Sequence, residues 1–170
     1  LQPDGPAFSY PSTPGKQVEQ VGIGHDGMVY FALGEDHGLM VINHEYGKNS
    51  HVLGKSSPDS YQDVLLSQYA HGMSIVEIEF RDGRWQTRPS GYARRIHANT
   101  PVRFSGPAAG HHLLLNRANN LFKGTLSNCS CGETPWGTYL TCEENFNFYF
   151  GGSGSFSPTS HQQRYEIGRA

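Results

Sequence analysis

Glycine and proline interrupt this chain so often that only short regular elements can form between them. The 170 residues include 21 glycines and 10 prolines, while aromatic residues make up 12% of the chain. Charged residues account for only 16%, so the composition is not that of a disordered protein. A chain of this length can bury one core. We therefore expect a turn-rich, mainly β protein rather than a helical bundle.

Short apolar runs predict where the regular elements lie. Residues 39–43 form a short apolar run that ends in Asn43, as in a strand buried on both faces. Residues 73–80 alternate apolar and polar side chains in their second half, before a turn at residues 82–83. Residues 61–72 are the best helix candidate, because Ser60 can cap the start and a glycine ends the run. Further short strands are predicted within residues 21–31, 111–116 and 138–141.

These elements together predict a partial β-propeller-like array of short antiparallel strands with little helix, and a β-sandwich is the alternative. Residues 1–20 are expected to form an irregular arm, and residues 21–150 the array itself. Residues 151–170 begin with a Gly/Ser-rich stretch that we expect to be flexible. No internal repeat is clear enough to count propeller blades.

Charge and hydropathy exclude two classes of partner. The net charge is −2 and no run of basic residues is present, so we expect no nucleic-acid partner. No apolar stretch approaches the length of a membrane span. No signal peptide is recognisable at the start, so any targeting segment is expected to have been removed or never included.

Residues 128–145 carry the densest chemistry in the chain. Neighbouring carboxylates such as Glu143 and Glu144 repel each other, and a cation or a hydrogen-bond network is the usual way to hold them together. Asn145 adds an amide oxygen beside them, and Cys129 supplies a thiolate of the kind that transition metals prefer. This segment is therefore a candidate metal site. A solvated acidic strand end with a buried cysteine is the simpler alternative.

The three cysteines, Cys129, Cys131 and Cys142, lie within fourteen residues of one another, which indicates a local role rather than a disulfide scaffold. A bridge between Cys129 and Cys131 would be strained, because only one residue separates them. Cys142 remains a possible partner for Cys129. The spacing is not that of a zinc ribbon.

Three shorter clusters also carry chemistry. Residues 25–28 place an imidazole and a carboxylate at a turn, and residues 43–45 place an amide, an imidazole and a carboxylate at a strand end. Arg94 and Arg95 offer two guanidinium groups that suit phosphate oxyanions. Taken singly, the two histidines are more typical of structural residues, and the arginines of surface ion pairs.

The order of these segments resembles the PhoX-type alkaline phosphatases. The chain carries GIGHDGM, then VINHEY, then AHGMSIVEI, then RRIHANTP with SGPAAGH, and then GTLSNCSCGETPWGTYLTCEENF. These stretches occupy residues 22–28, 41–46, 70–78, 94–111 and 124–146. The motifs are long and ordered, and the resemblance is to the N-terminal part of the family.

The resemblance implies a secreted or periplasmic enzyme with a decorated β-propeller fold, which hydrolyses phosphate esters at a centre of iron and calcium ions. It assigns Cys129 as the iron-binding thiolate, and Glu144 and Glu45 as carboxylate ligands. Glu143 and Asn145 lie on either side of Glu144 in the sequence and are expected to be further ligands or hydrogen-bond partners of the ligands. A thiolate with carboxylates suits ferric iron, and carboxylate oxygens suit calcium.

The chain also departs from the family pattern. Ala93 stands where the family usually has asparagine, and Cys131 adds a thiol that the family does not need. Family members are several times longer, so their remaining carboxylates and phosphate-binding arginines have no counterpart here, and we expect the chain alone to be inactive. The alternatives are a non-catalytic module that self-associates through open strand edges, and a calcium-stabilised extracellular domain without iron.

Overall fold

The computed structural model describes residues 1–110, 122–152 and 154–167. Strands outnumber helices in this part of the chain, and every pair of neighbouring strands is antiparallel. The prediction of a mainly β protein with little helix is confirmed. The strands form one five-stranded and two two-stranded sheets, so the propeller-like arrangement stays a prediction. The strand predicted at residues 111–116 lies outside the described residues.

The largest sheet has the order β1-β2-β3-β4, and a fifth strand, β5, also pairs with β3. Its strands are β1 (His25–Ala32), β2 (His37–His44), β3 (Gly72–Arg81), β4 (Arg84–Thr87) and β5 (Arg94–Ile96). The predicted turn between β3 and β4 is confirmed by φ angles of 54° at Asp82 and 76° at Gly83. Two positive φ values in a two-residue hairpin loop fit a type I′ turn, for which Asp-Gly is a favoured sequence.

Two further antiparallel strand pairs complete the strands of the described residues. They are β6 (Pro101–Val102) with β7 (Phe122–Lys123), and β8 (Asn128–Glu133) with β9 (Tyr139–Glu143). β9 confirms the strand predicted at residues 138–141. The β8–β9 hairpin packs against β1 and β2 of the large sheet. This packing brings the cysteine-containing segment onto the edge where β1 begins and β2 ends.

The helices are short. They are α1 (Pro14–Gln17), α2 (Asn49–Val52), α3 (Tyr61–Tyr69) and α4 (Ser160–Arg164), with 3-10 turns at Gly106–Ala108 and Phe146–Tyr149. α1 lies in the segment predicted as an irregular arm, and α4 in the segment predicted to be flexible. None of the helices in the described ranges is long and apolar enough to span a bilayer.

The predicted helix at residues 61–72 is confirmed, but it ends three residues early. The Ser60 hydroxyl caps α3 by accepting the Asp63 N–H at 3.2 Å. Gly72 does not stop the helix but begins β3, with a φ of 94°. A Cβ there would lie 2.1 Å from the carbonyl oxygen of Ile96, so the close approach of β5 requires glycine.

The buried apolar side chains form two small clusters. Val41, Met73 and Ile75 lie on one face of the large sheet, and Val52, Leu66 and Ala70 lie between α2 and α3. The first cluster supports the face on which the β8–β9 hairpin packs, because Tyr139 of that hairpin contacts it.

Candidate metal centre

Three acidic or thiol side chains from distant parts of the sequence meet at one edge of the large sheet. One ligand atom from each of Asp26, Glu45 and Cys129 lies within 4.8 Å of the others. Strand pairing explains the first two, because His25 and His44 are register partners in the β1–β2 ladder. The Glu45 N–H also donates to the Gly24 carbonyl at 2.8 Å. The start of β1 and the end of β2 are thus locked side by side.

Glu144 is the fourth member of this group, as the electrostatics of Cys129 and Glu45 indicate. The Cys129 thiol donates to the carboxylates of Asp26 and Glu144, which raises its pKa to about 12. Burial raises the pKa of Glu45, and the negative charges of Asp26 and Glu144 raise it further. Three carboxylates and a thiol therefore lie close together, and the charges of Asp26 and Glu144 disfavour ionisation of Cys129 and Glu45.

This donor set fits the metals that the resemblance implies. Carboxylate oxygens are the ligands that calcium prefers, and a thiolate among carboxylates suits iron. A cation held between Asp26, Glu45, Cys129 and Glu144 would offset their mutual repulsion and favour the thiolate over the thiol. Asp26 was part of the His-Asp turn noted in the sequence, but no metal role followed from the turn itself.

Asn43 fixes the hairpin that carries Cys129. Its side chain is fully buried, and its Nδ2 donates to the Cys129 carbonyl at 2.8 Å. Its Oδ1 accepts from the Tyr139 hydroxyl at 2.8 Å and from the Thr141 hydroxyl at 3.1 Å. One amide therefore joins β2 to both β8 and β9. The sequence placed Asn43 at a strand end but gave no sign of these partners.

Gly27 permits the close approach of β1 to β8. A Cβ at this position would lie 2.7 Å from both the Cys129 carbonyl oxygen and the Cys131 Sγ. The Cys131 side chain also hydrogen-bonds the Tyr139 hydroxyl. All three cysteines are free thiols, and Cys142 is exposed.

Glu143 and Asn145, the two predicted neighbours of Glu144, have different surroundings. The Glu143 carboxylate accepts from the Thr125 hydroxyl at 2.6 Å and from the Leu126 N–H at 3.2 Å, so it braces the loop before β8. Asn145 donates from its Nδ2 to a Glu144 carboxylate oxygen at 2.9 Å. Asn145 thus orients a member of the cluster, and direct ligation by either residue stays a prediction.

Arg94 and Arg95 differ in their surroundings too. Arg94 is exposed and donates to the Tyr92 carbonyl at 2.9 Å. The Arg95 guanidinium lies between α3 and β3, and burial lowers its pKa to about 10. It donates to the carbonyls of Tyr69, His71 and Met73 and to the Ser74 hydroxyl. These bonds give Arg95 a structural task, and phosphate binding by either arginine stays a prediction.

The two histidines noted in the sequence lie behind the cluster. His44 is fully buried, with Nε2 2.6 Å from the Ser74 hydroxyl, and burial lowers its pKa to about 2. The ring of His25 lies 4.9 Å from that of His44, and its Nε2 is 3.0 Å from the Gly22 carbonyl oxygen. These contacts give both imidazoles a structural role.

Comparison with known proteins gives the family. The family model described as alkaline phosphatase PhoX matches residues 1–169. The chain belongs to the PhoX alkaline phosphatase family. A solved structure described as Pseudomonas fluorescens PhoX in complex with vanadate, a transition-state analogue, is 41% identical to this chain and superposes with a TM-score of 0.92. That match covers 99% of this chain and 31% of the Pseudomonas chain. No curated protein sequence matches the chain.

Proposed function

We propose that this chain forms one wall of the metal centre of a PhoX-type phosphate-ester hydrolase. The observation that carries the proposal is the convergence of Asp26, Glu45 and Cys129 within 4.8 Å, with Glu144 beside them. These side chains come from four separate segments, so their meeting is a property of the fold. Membership of the PhoX family supports a phosphatase rather than a storage or structural metal site.

Iron and calcium are the metals that we propose for this wall. Bound there, the cations would neutralise charge on a phosphate ester and polarise it towards attack. The chain's own residues hold the wall in place: Asn43 fixes the Cys129 backbone, and Asn145 orients Glu144. Family membership also supports a periplasmic or secreted location, which we propose for this protein.

In this proposal, phosphatase activity requires a longer PhoX protein than these 170 residues. The chain spans 31% of the length of the Pseudomonas structure. Four side chains are too few for a calcium shell of roughly six to eight oxygens together with an iron site. We therefore propose that the remaining ligands, and groups that hold the phosphoryl oxygens, come from the part of a PhoX protein with no counterpart in these 170 residues.

A chimera tests the activity. Residues 1–170 would replace the matching 31% of Pseudomonas fluorescens PhoX, since the two are 41% identical and superpose closely. The folded chimera, supplied with iron and calcium, should release phosphate from a chromogenic monoester, and Asp26→Asn should reduce kcat strongly. A folded, metal-loaded chimera without turnover would contradict the proposal.

Metal content tests the ligand assignment. The chain would be loaded with ferric iron and calcium, desalted and analysed by mass spectrometry, as wild type, Cys129→Ser and Cys142→Ser. We expect Cys129→Ser to lose most of the iron, because serine does not provide the soft thiolate. Cys142→Ser removes an exposed thiol and should retain wild-type iron. Equal iron in the two variants would rule out Cys129 as a ligand.

A non-catalytic, self-associating module is the second candidate. Large apolar side chains are unusually exposed, among them Trp136 at 79%, Tyr61 at 72% and Phe148 at 65%. Such surfaces suit contacts with another chain. The mass of the metal-free and metal-loaded protein in solution separates the candidates: an oligomer that retains neither metal supports the module, and calcium retention without iron supports a calcium-stabilised domain.

A further inference from the structure

His71 lies at the centre of a hydrogen-bond network behind the proposed metal wall. Its side chain is buried, and its Nδ1 is 2.8 Å from the Ser67 carbonyl oxygen. A carbonyl oxygen can only accept, so Nδ1 carries the proton and Nε2 is left as an acceptor. That nitrogen accepts from the Gly47 N–H at 2.9 Å and from the Tyr149 hydroxyl at 3.0 Å. Burial lowers the His71 pKa and so favours this neutral form.

The partners of His71 are connected to three members of the acidic cluster. Gly47 follows Glu45 by two residues, and Tyr149 ends the 3-10 turn that follows Glu144. Although 40% of Tyr149 is exposed, its hydroxyl reaches inward to His71. The Gly47 backbone packs tightly against the His71 ring, because a Cβ on Gly47 would lie 2.6 Å from that ring.

The third connection runs through Ser127, which precedes Cys129 by two residues. Its side chain hydrogen-bonds the Tyr149 hydroxyl, and its carbonyl accepts the Glu144 N–H at 2.9 Å. Ser127 is 2% exposed and has a φ of 53°, so its backbone is held in one conformation by these neighbours.

We infer that His71 is a positioning residue, whose Nε2 acceptor sets the relative placement of Glu45, Cys129 and Glu144. Its Nε2 bonds to Gly47 and Tyr149 rather than to these three residues, and it acts through those two partners. The inference rests on the proposed metal wall. Partners that orient metal ligands typically contribute a factor of about 10 to 100 in metal affinity, which sets the size of the expected effect.

Matched substitutions distinguish the effect of losing the Nε2 acceptor from the effect of losing the volume of the imidazole ring. His71→Gln keeps an oxygen acceptor near the Nε2 position, whereas His71→Asn keeps only a donor near Nδ1, towards Ser67. Tyr149→Phe removes one donor to Nε2. Tyr61→Phe makes the same chemical change at a residue that is 72% exposed and serves as the control.

The probe is Co²⁺ alone, whose binding is followed through thiolate-to-cobalt absorption. We expect the dissociation constant to rise about tenfold or more in His71→Asn, and in the same direction in Tyr149→Phe. His71→Gln and Tyr61→Phe should stay within about twofold of wild type. Equal weakening by His71→Asn and His71→Gln would overturn the inference, because the acceptor would then be irrelevant. Unchanged affinity in His71→Asn would overturn it as well.

Hydrogen exchange in metal-free protein gives a second readout that needs no cation. The Glu45 and Glu144 N–H groups bond to Gly24 and Ser127, not to His71. His71→Asn should nevertheless speed exchange at both amides together, and His71→Gln should not. Unchanged exchange would overturn the inference. If wild type binds no cobalt, the proposed metal wall fails, and the exchange result still decides whether His71 positions these residues.

Discussion

At the scale of single residues, the hydrogen bond between Asp26 and Cys129 is the main interaction within the acidic cluster. The hydrogen bond to Asp26 is the largest cause of the raised Cys129 pKa, followed by the bond to Glu144. The Cys129 thiol therefore stays protonated across the physiological pH range when no cation is bound. Cys129 and Glu144 could be proposed from their motif. The convergence of Asp26 with them could not be foreseen, because it depends on β1 packing against β8 about a hundred residues later.

Asp26→Asn should lower the Cys129 pKa from about 12 towards its ordinary value of 9.0. The substitution removes the negative charge that the thiol donates to, so the thiolate becomes easier to form. The measurement is the pH dependence of alkylation at Cys129, followed by mass spectrometry on the metal-free chain. The alkylation rate should rise at lower pH in Asp26→Asn than in wild type. An identical profile would show that Asp26 does not face the thiol.

At the scale of elements, the parts foreseen from the sequence are those with local signals. The Asp82-Gly83 dipeptide specified its hairpin turn, and Ser60 specified the start of α3. β8 carried no such signal, because its residues, NCSCGE, lack an apolar alternation and the strand is held by its neighbours. The end of α3 was misjudged because Gly72 is needed for the approach of β5, a contact distant in sequence.

Asn43→Asp should undock the β8–β9 hairpin from β2. An aspartate cannot donate to the Cys129 carbonyl, so two oxygens would face each other at a fully buried position. We expect the free energy of unfolding to fall by about 1–3 kcal/mol or more, the cost of leaving a buried polar group without its partner. Urea denaturation measures the change.

Asn147→Asp makes the same chemical change at a partly exposed position and should have a much smaller effect. Hydrogen exchange in β8 and β9 would locate the loss in Asn43→Asp. Equal stability of the two variants would contradict the role of Asn43 in holding the hairpin.

At the scale of the whole molecule, the described residues bury few of their large apolar side chains. Its two core clusters are small, while the side chains of Phe80, Trp85 and Trp136 are each about half exposed or more. The mainly β class could be predicted from the frequent glycines and prolines, because each of these residues interrupts regular structure at its own position in the sequence. The arrangement of the three sheets could not, since it depends on contacts such as those of Asn43 that no local pattern encodes.

The 170-residue chain alone should therefore show no phosphatase turnover. The proposed metal wall offers three carboxylates and one thiolate, fewer donors than calcium and iron together would require. Its buried arginine, Arg95, is engaged by backbone carbonyls and is not free to hold a phosphoryl group. The measurement is hydrolysis of a chromogenic phosphate monoester by the purified chain with iron and calcium, beside Pseudomonas fluorescens PhoX as the positive control. Metal-dependent turnover that is abolished by Cys129→Ser, in a sample with the mass of a monomer, would show that the active site is complete within residues 1–170.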